Sequence, residues 1–444
     1  MKERKYNLLT AVAMIVGIVI GSGIFFKSDN VLAFTGGNVR DGVIVFCVAA
    51  IAIIFGSLSL SQLALLSDEP GGLISYANEF SSPRLACSLG WFEALLYYPT
   101  LAVVVSWVAG VYACGLFGWE GTLTNQMLFG GAAMLVLWAV NVLSARLGGA
   151  FQSLAFIIKM IPLILIAVAG LIWGDVPAAI HAYPVSVGAG GLFAAIVPIA
   201  FAFDGWVIAT SICGEIKNSK RNLPRAMILS PVLILAVYVA YFIGISALVG
   251  PEQILALGDA HVEVAATTLF GPIGAKLIVI FVIISVLGTS NGLILGGMRL
   301  PYALGLRGMM PGKTFLTKEN EKLGGMPVGS TLVMLIGMLF WWVIHFLSMK
   351  FNLLPGSDIS EIAIVVHYLL FIPLYLSVMV LTKKGRITNK FYGYISPVLA
   401  CVGSLVVLIG GFQNKLFPLY LVICGVVVLA SLVYFAKHKA EINH

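Results

Sequence analysis

Apolar runs long enough to cross a lipid bilayer recur from one end of this chain to the other, and the charged residues gather in the short segments between them. A helix needs about 20 such residues to cross a hydrocarbon layer about 30 Å thick. Backbone amides and carbonyls find no water in that layer, so runs of this kind fold only as helices or as closed barrels. A barrel would alternate apolar and polar residues over short segments, a pattern the sequence does not show. With 60% hydrophobic residues, 10% charged residues and a mean hydropathy of +1.03, the 444 residues carry more apolar surface than one water-soluble core can hide. The sequence therefore predicts an all-α membrane protein. Its expected spans are 8–35, 41–66, 85–117, 125–145, 149–173, 189–214, 227–250, 265–305, 327–348, 357–382, 392–412 and 416–436.

The charges also set an orientation. With the amino terminus in the cytoplasm, Lys2, Arg4, Lys5, Arg84, Arg146, Lys217, Arg221, Arg225, Arg307, Lys318 and Lys384 fall inside, and chiefly Arg40, Lys350 and Lys415 remain outside. Such an asymmetry fits an even number of spans with both termini cytoplasmic. The net charge of +7 thus has a topological origin, and with no basic stripe interleaved with aromatics it points to no nucleic acid partner. The basic start followed by an apolar stretch resembles a secretory signal, but the stretch runs on to Phe34 without a polar cleavage region, so it reads as the first helix. Cys47, Cys87, Cys114, Cys213, Cys401 and Cys424 lie in or beside spans without metal-ligand spacing and read as small core residues. No metal and no cofactor is expected.

Two spans carry interruptions at similar depth, Gly21-Ser22-Gly23 in the first and Phe203-Asp204-Gly205-Trp206 in the sixth. Glycine-weakened helices five spans apart are what two inverted five-helix halves produce, with a binding site where the breaks meet. The expected division is 1–175 for the first repeat, 186–384 for the second and 390–444 for the last two helices and tail. A broken helix leaves backbone groups that a ligand can satisfy. Amides around Ser22, Gly23 and Ile24 would hold a carboxylate at the positive end of a half-helix, and carbonyls near Val19 and at Phe201, Ala202 and Asp204 would accept from an ammonium group. One zwitterion satisfies both sets. The competing reading of Gly21-Ser22-Gly23 is close helix packing by small residues, and Asp204 reads either as a site residue or as a cap on the break.

Lys159 lies ten residues into the fifth span, too deep to reach the interface by snorkelling, and needs a partner within the protein. Carbonyls freed by the first break and the hydroxyls of Ser285 and Thr289, spaced i and i+4 on the eighth span, could supply it. The alternative is a lysine buried neutral with a structural role. Glu93 reads as a proton site or as a carboxyl lining a cytoplasmic vestibule, and His345 and His367 read as core or interface histidines.

Ile20-Gly21-Ser22-Gly23-Ile24-Phe25, Pro70-Gly71-Gly72, Phe201-Ala202-Phe203-Asp204-Gly205-Trp206 and Gly214-Glu215-Ile216-Lys217-Asn218 leading to Asn222-Leu223-Pro224-Arg225 together resemble the amino acid–polyamine–organocation superfamily. Within it the sequence looks most like the L-amino acid transporter branch and its bacterial serine/threonine or alanine/serine/cysteine exchangers. The resemblance implies a leucine-transporter-type 5+5 inverted repeat with broken helices one and six and two further helices. It also implies sodium-independent exchange of small neutral L-amino acids across the cytoplasmic membrane. By similarity the backbone at Val19, Ser22, Gly23, Phe201, Ala202 and Asp204 would hold the substrate, Phe201 would gate it, and a lysine would stand at the position of Lys159; the expected site adds Gly21 and Ile24 to the binding set, Trp206 to the gate, and Ser285 and Thr289 to Lys159 as coupling residues. Many relatives have glycine or serine where this chain has Asp204. The loop from Phe117 to Thr124 lacks the cysteine through which animal members join a heavy chain, so no such subunit is expected. A proton-coupled symporter and an exchanger of cationic amino acids or polyamines stand as alternatives. An enzyme lacks a motif and a channel lacks a filter candidate.

Overall fold

Long apolar helices make up most of the computed structural model, which describes residues 7–21, 23–67, 72–181, 193–207, 216–323, 325–355 and 357–442. The first apolar run yields three pieces, α1 (Leu8–Val19), α2 (Gly23–Phe26) and α3 (Ser28–Phe34). There follow α4 (Val39–Leu66), α5 (Pro83–Phe117, with a π turn at Glu93–Tyr97), α6 (Leu123–Leu143) and α7 (Ala145–Trp173). Beyond them come α8 (Ile196–Ala202), α9 (Ser219–Val249), α10 (His261–Leu306) and α11 (Val328–Lys350). The last are α12 (Ser360–Lys383), α13 (Phe391–Gln413) and α14 (Phe417–Lys437).

Among the described residues nine helices are long and apolar enough to cross a membrane. The shorter apolar helices Leu8–Gly17 and Ile157–Trp173 fall in the first and fifth expected spans, and α8 falls in the sixth. Side chains mark where helices start. Asn7 accepts from the Thr10 amide at 2.8 Å, Asn38 from Asp41 at 3.1 Å and Thr122 from Asn125 at 3.3 Å, each satisfying a donor that the first helical turn leaves over. Large apolar side chains such as Val136, Ile157, Trp173, Ile336 and Val426 point outward, a surface suited to hydrocarbon.

One helix start and one kink differ from the sequence reading. α9 begins at Ser219, ahead of the expected start at 227, because hydropathy marks the hydrocarbon layer, whereas the helix continues into a basic segment carrying Arg221 and Arg225. α10 is kinked at Gly271, where φ is 65° and ψ is −178°, so the long eighth span is two helices in series.

The chain forms two compact units. The first unit comprises Met1–Ser82, Ile161–Ile278 and Val365–Lys415. Here α4 packs against α9 and α13, and α1 packs against α9. Tyr238, Tyr241, Phe242 and Ile245, at i, i+3, i+4 and i+7 on α9, form a buried stripe, and Phe46 of α4 meets the Phe242 ring at 5.3 Å and the Tyr238 ring at 6.3 Å.

The second unit comprises Pro83–Met160, Val279–Ile364 and Leu416–His444. α5 and α6 approach so closely that a Cβ on Gly110 would strike the Gln126 carbonyl and one on Gly130 the Ser106 carbonyl. Side-chain hydrogen bonds tie distant helices together: Ser106 with Ser290 at 2.7 Å, Asn141 to Asn291 at 2.7 Å, Ser431 to Ser88 at 2.9 Å, and Trp341 to the Leu95 carbonyl at 2.9 Å. A short antiparallel pair, β1 (Glu319–Asn320) and β2 (Met326–Pro327), places Glu319 opposite Pro327 and Asn320 opposite Met326.

Candidate functional site

The first unit contains both interruptions. α1 stops at Val19, and Ile20 turns to an extended backbone with ψ 102° while its amide still bonds to Val16. The helix resumes at Gly23, and bonds from Lys27 to Gly23 and from Val31 to Lys27, at 2.9 and 3.0 Å, carry the turn on into α3. Ser22, the middle residue of the break, lies outside the described residues. α8 ends at Ala202, and Phe203–Val207 turn away, with the Asp204 amide bonded to the Phe201 carbonyl at 3.0 Å. Gly205 sits at φ 94°, a conformation that a side chain would strain, which is why a glycine follows Asp204.

The two breaks touch. A Cβ built on Gly23 would lie 2.7 Å from Ala202 Cα and 3.3 Å from Phe201 Cδ1, so only glycine allows the half-helices to approach this closely. Tyr238 of α9 reaches the same place, and its single hydroxyl hydrogen is shared between the Ala202 carbonyl at 2.8 Å and the Val19 carbonyl at 3.2 Å. Thus one side chain serves the carbonyls left open at both breaks, where an unsatisfied group would be costly. Each carbonyl keeps a second lone pair for another donor.

Val19, Gly21, Ile24, Phe201 and Ala202 are buried around this junction. Phe201 carries the Lys27 ammonium over its ring, with Nζ 5.1 Å from the centroid. Asp204 is partly exposed and within electrostatic reach of Tyr368 on α12. Trp206 is buried edge-on against Phe371 at 5.6 Å, and its indole lies 3.1 Å from where a Cβ on Gly56 would stand. It is wedged between α4 and α12.

The residues expected to couple transport, Lys159, Ser285 and Thr289, lie in the second unit. Asn291 donates to the Gly148 carbonyl at 3.1 Å, and seven residues further along α7 a Cβ on Gly288 would strike Ala155. As α7 advances, its partner on α10 recedes, so the two helices run antiparallel there. Lys159 is only 2% exposed, Thr289 donates to the Ser285 carbonyl at 3.2 Å, and the buried Ser285 hydroxyl has no hydrogen-bond partner among the described residues.

Of the weaker candidates, Glu93 is buried in the π turn of α5, His345 meets the Trp107 ring at 5.0 Å, and His367 meets Phe371 at 4.5 Å. Cys47, Cys87, Cys114, Cys401 and Cys424 are free thiols, and Cys213 lies outside the described residues. Among the described residues no cluster of His, Cys, Asp and Glu could hold a metal ion.

Sequence reasoning missed Tyr238 and Lys27. A tyrosine within an aromatic stripe reads as core, and the only clue was a hydroxyl at the middle of an apolar helix. Lys27 follows Gly23 by four residues, a spacing that returns it to the same helix face.

Comparison with known proteins places the whole chain, because a model of amino acid permeases matches residues 6–436. The chain belongs to the amino acid permease family. This permease is similar to a serine/threonine exchanger of Bacillus subtilis, with 29% identity over 99% of the chain and 98% of that protein. It is similar also to the b(0,+)-type amino acid transporter 1 of Mus musculus, with 27% identity over 69% of the chain and 64% of that protein. Among solved structures, MhsT in complex with L-phenylalanine superposes with a TM-score of 0.62 at 14% identity, covering 93% of the permease and all of that chain. This likeness gives the fold, the leucine-transporter type read from the two broken helices. The permease is a multi-pass membrane transporter of amino acids and not an enzyme.

Proposed function

We propose that the permease exchanges small neutral L-amino acids, namely alanine, serine, threonine and cysteine, one for another across the cytoplasmic membrane, by alternating access and without sodium. The observation that carries this reading is the meeting of Gly23 with Ala202, which puts backbone donors and acceptors of two half-helices side by side. In the proposal the amides from Ser22 to Ile24 take the α-carboxylate, and the carbonyls of Val19, Phe201, Ala202 and Asp204, on their free lone pairs, take the α-ammonium. Phe201 closes over the substrate as the gate. Gly21 keeps the break narrow, and Trp206 anchors the turn that follows it. The likeness to a serine/threonine exchanger supports both the substrate class and the exchange mode.

In the same proposal Lys159 stays protonated and acts as a fixed cation held by Ser285 and Thr289. Residues 1–175 and 186–384 form the inverted repeats, residues 390–444 lie outside them, both termini are cytoplasmic, and no heavy chain is needed.

Recognition through the α-groups has a direct test in competition against labelled serine by serine, serinamide and ethanolamine. Serine is expected to compete at least tenfold more strongly than either analogue, since each lacks the carboxylate. Equal competition by ethanolamine would refute it.

A further inference from the structure

Within the second unit, α5, α11 and α14 meet around a groove of about 710 Å³ that no step of the proposed exchange uses. Every residue lining it is apolar, with Leu96 from α5, Ile336, Phe340 and Trp341 from α11, and Val422 and Val426 from α14. The Trp341 indole, the one polar group among these side chains, already donates to the Leu95 carbonyl at 2.9 Å. Ile336, Phe340, Val422 and Val426 are exposed, so the groove opens on a face suited to hydrocarbon.

The three helices share one end. Pro99 of α5 lies 3.2 Å from where a Cβ on Gly337 of α11 would stand, and eight residues on in each helix the Trp107 and His345 rings meet at 5.0 Å, so these two run parallel. Ser431 of α14 bonds to Ser88 of α5, while Phe435 meets Arg84, so these two run antiparallel. The end where α5 and α11 begin is therefore the end where α14 finishes. This end is basic. Lys437 continues an exposed stripe of α14, Val422, Val426, Leu429 and Val433, that leaves the groove along one helix face. Under α11 a Cβ on Gly329, on the face of Ile336 and Phe340, would strike the Phe315 carbonyl, which puts the short helix Lys313–Thr317 at the foot of that wall. Arg84, Lys313, Lys318 and Lys437 are all exposed here, against the exposed carboxylates of Glu319 and Glu321, and Glu319 accepts the Tyr302 hydroxyl at 2.7 Å.

We infer that the groove and its basic foot bind one anionic phospholipid from the leaflet at that end, the cytoplasmic leaflet in the proposed topology. The phosphate is held at the foot by Lys313 and Lys437, and an acyl chain follows the α14 stripe into the groove. The spacing fits such a molecule. From Lys437 to Val426, and from Gly329 to Phe340, eleven residues of helix rise about 16 Å, and half of a hydrocarbon layer is about 15 Å deep. Charge selects the lipid over a second copy of the chain. Two copies in one membrane present the same end to the same leaflet, so docking groove to groove would set their basic feet side by side. Each lysine or arginine at a lipid surface favours an anionic headgroup by roughly fivefold.

The test is native mass spectrometry of the permease released from vesicles of equal phosphatidylglycerol and phosphatidylcholine with identical acyl chains. The wild-type protein is expected to retain phosphatidylglycerol at least fivefold over phosphatidylcholine. Lys313→Gln combined with Lys437→Gln should lower that ratio to twofold or less, and Lys350→Gln, at the opposite end of α11, should leave it unchanged. Val426→Trp, which fills the groove from its exposed side, should cut retained lipid of both kinds at least fivefold, and it carries the test should the double variant not fold. A wild-type ratio near one overturns the inference, as does a ratio that the double variant leaves unchanged or that Lys350→Gln lowers equally. Lipid retained undiminished by Val426→Trp would take the chain out of the groove, and a lipid-free dimer would make a second copy the occupant; either result overturns it. Amino acid exchange plays no part in the readout, so failure here leaves the proposed function standing.

Discussion

The two units solve the same problem, polar groups in a hydrocarbon layer, in opposite ways. In the second unit the long helices satisfy their own backbones, and side chains such as Asn141 with Asn291 and Ser106 with Ser290 pair with each other. In the first unit the backbone itself is opened at Val19 and Ala202, and a single hydroxyl from Tyr238 attends to both ends. Closed pairs make a scaffold, while open backbone makes a place for a ligand. The difference says that substrate binding should be sensitive to atoms near the breaks and indifferent to most of the pairs elsewhere.

The largest effect is expected at the junction. Gly23→Val sets branched carbon 2.7 Å or less from the backbone of Ala202, which cannot yield as a flexible side chain would. Serine binding should fall beyond detection, at least a hundredfold, while the purified protein keeps its helical circular dichroism and elutes as a single species. Near-wild-type affinity would put the carboxylate elsewhere.

Lys159→Ala comes next. It removes the buried lysine that the proposal makes a fixed cation, so its effect should fall on the conformational cycle. Exchange should drop tenfold or more, with apparent affinities measured from the two faces changing unequally. Wild-type exchange should need no sodium and respond little to a pH gradient. Concentrative uptake driven by protons in the wild type, lost in the alanine variant, would make Lys159 a proton carrier and overturn the exchange mode.

Tyr238→Phe keeps the ring stack and deletes only the shared donor. Leaving buried carbonyls unsatisfied costs about 1–3 kcal/mol, which the protein can spend as stability or as a shifted half-helix geometry. Exchange is therefore expected to fall by roughly tenfold. A variant with unchanged exchange and unchanged melting would show that both carbonyls are served by other donors.

The smallest effect on function is expected in the second unit. Asn141→Leu removes the donor to the Asn291 side-chain oxygen and should lower the melting temperature by several degrees. The KM for serine should stay within about twofold, since the proposal holds the substrate's α-groups in the first unit. A large change in KM with unchanged melting would erase the contrast between the two units.

How much of this was legible in the sequence depended on the range of the signal. The breaks were readable because glycine, serine and aspartate inside an apolar run are local chemistry, and Gly205 at φ 94° is such a case. The helices were readable because hydropathy is a local sum, although it missed the basic first turns of α9 and the kink at Gly271. Lys159 stood out because a charge at the middle of a span has no cheap solution. Tyr238 did not, since an aromatic residue fits an apolar helix whether or not its hydroxyl has work to do. Pairs such as Asn141 with Asn291, 150 residues apart in the chain, could not be assigned without the fold. Neither could the seat of Lys27 on Phe201, which depends on two half-helices meeting.

Counterflow tests the central claim most directly. Proteoliposomes holding the purified permease would be preloaded with one amino acid at a time, or left empty, and uptake of labelled serine followed at equal pH and without sodium. Serine, alanine, threonine or cysteine inside should accelerate uptake at least tenfold over empty vesicles, and putrescine or agmatine inside should not. Uptake into empty vesicles as fast as into serine-loaded ones, or counterflow driven equally by putrescine, would contradict exchange through a site that reads the α-amino and α-carboxyl groups.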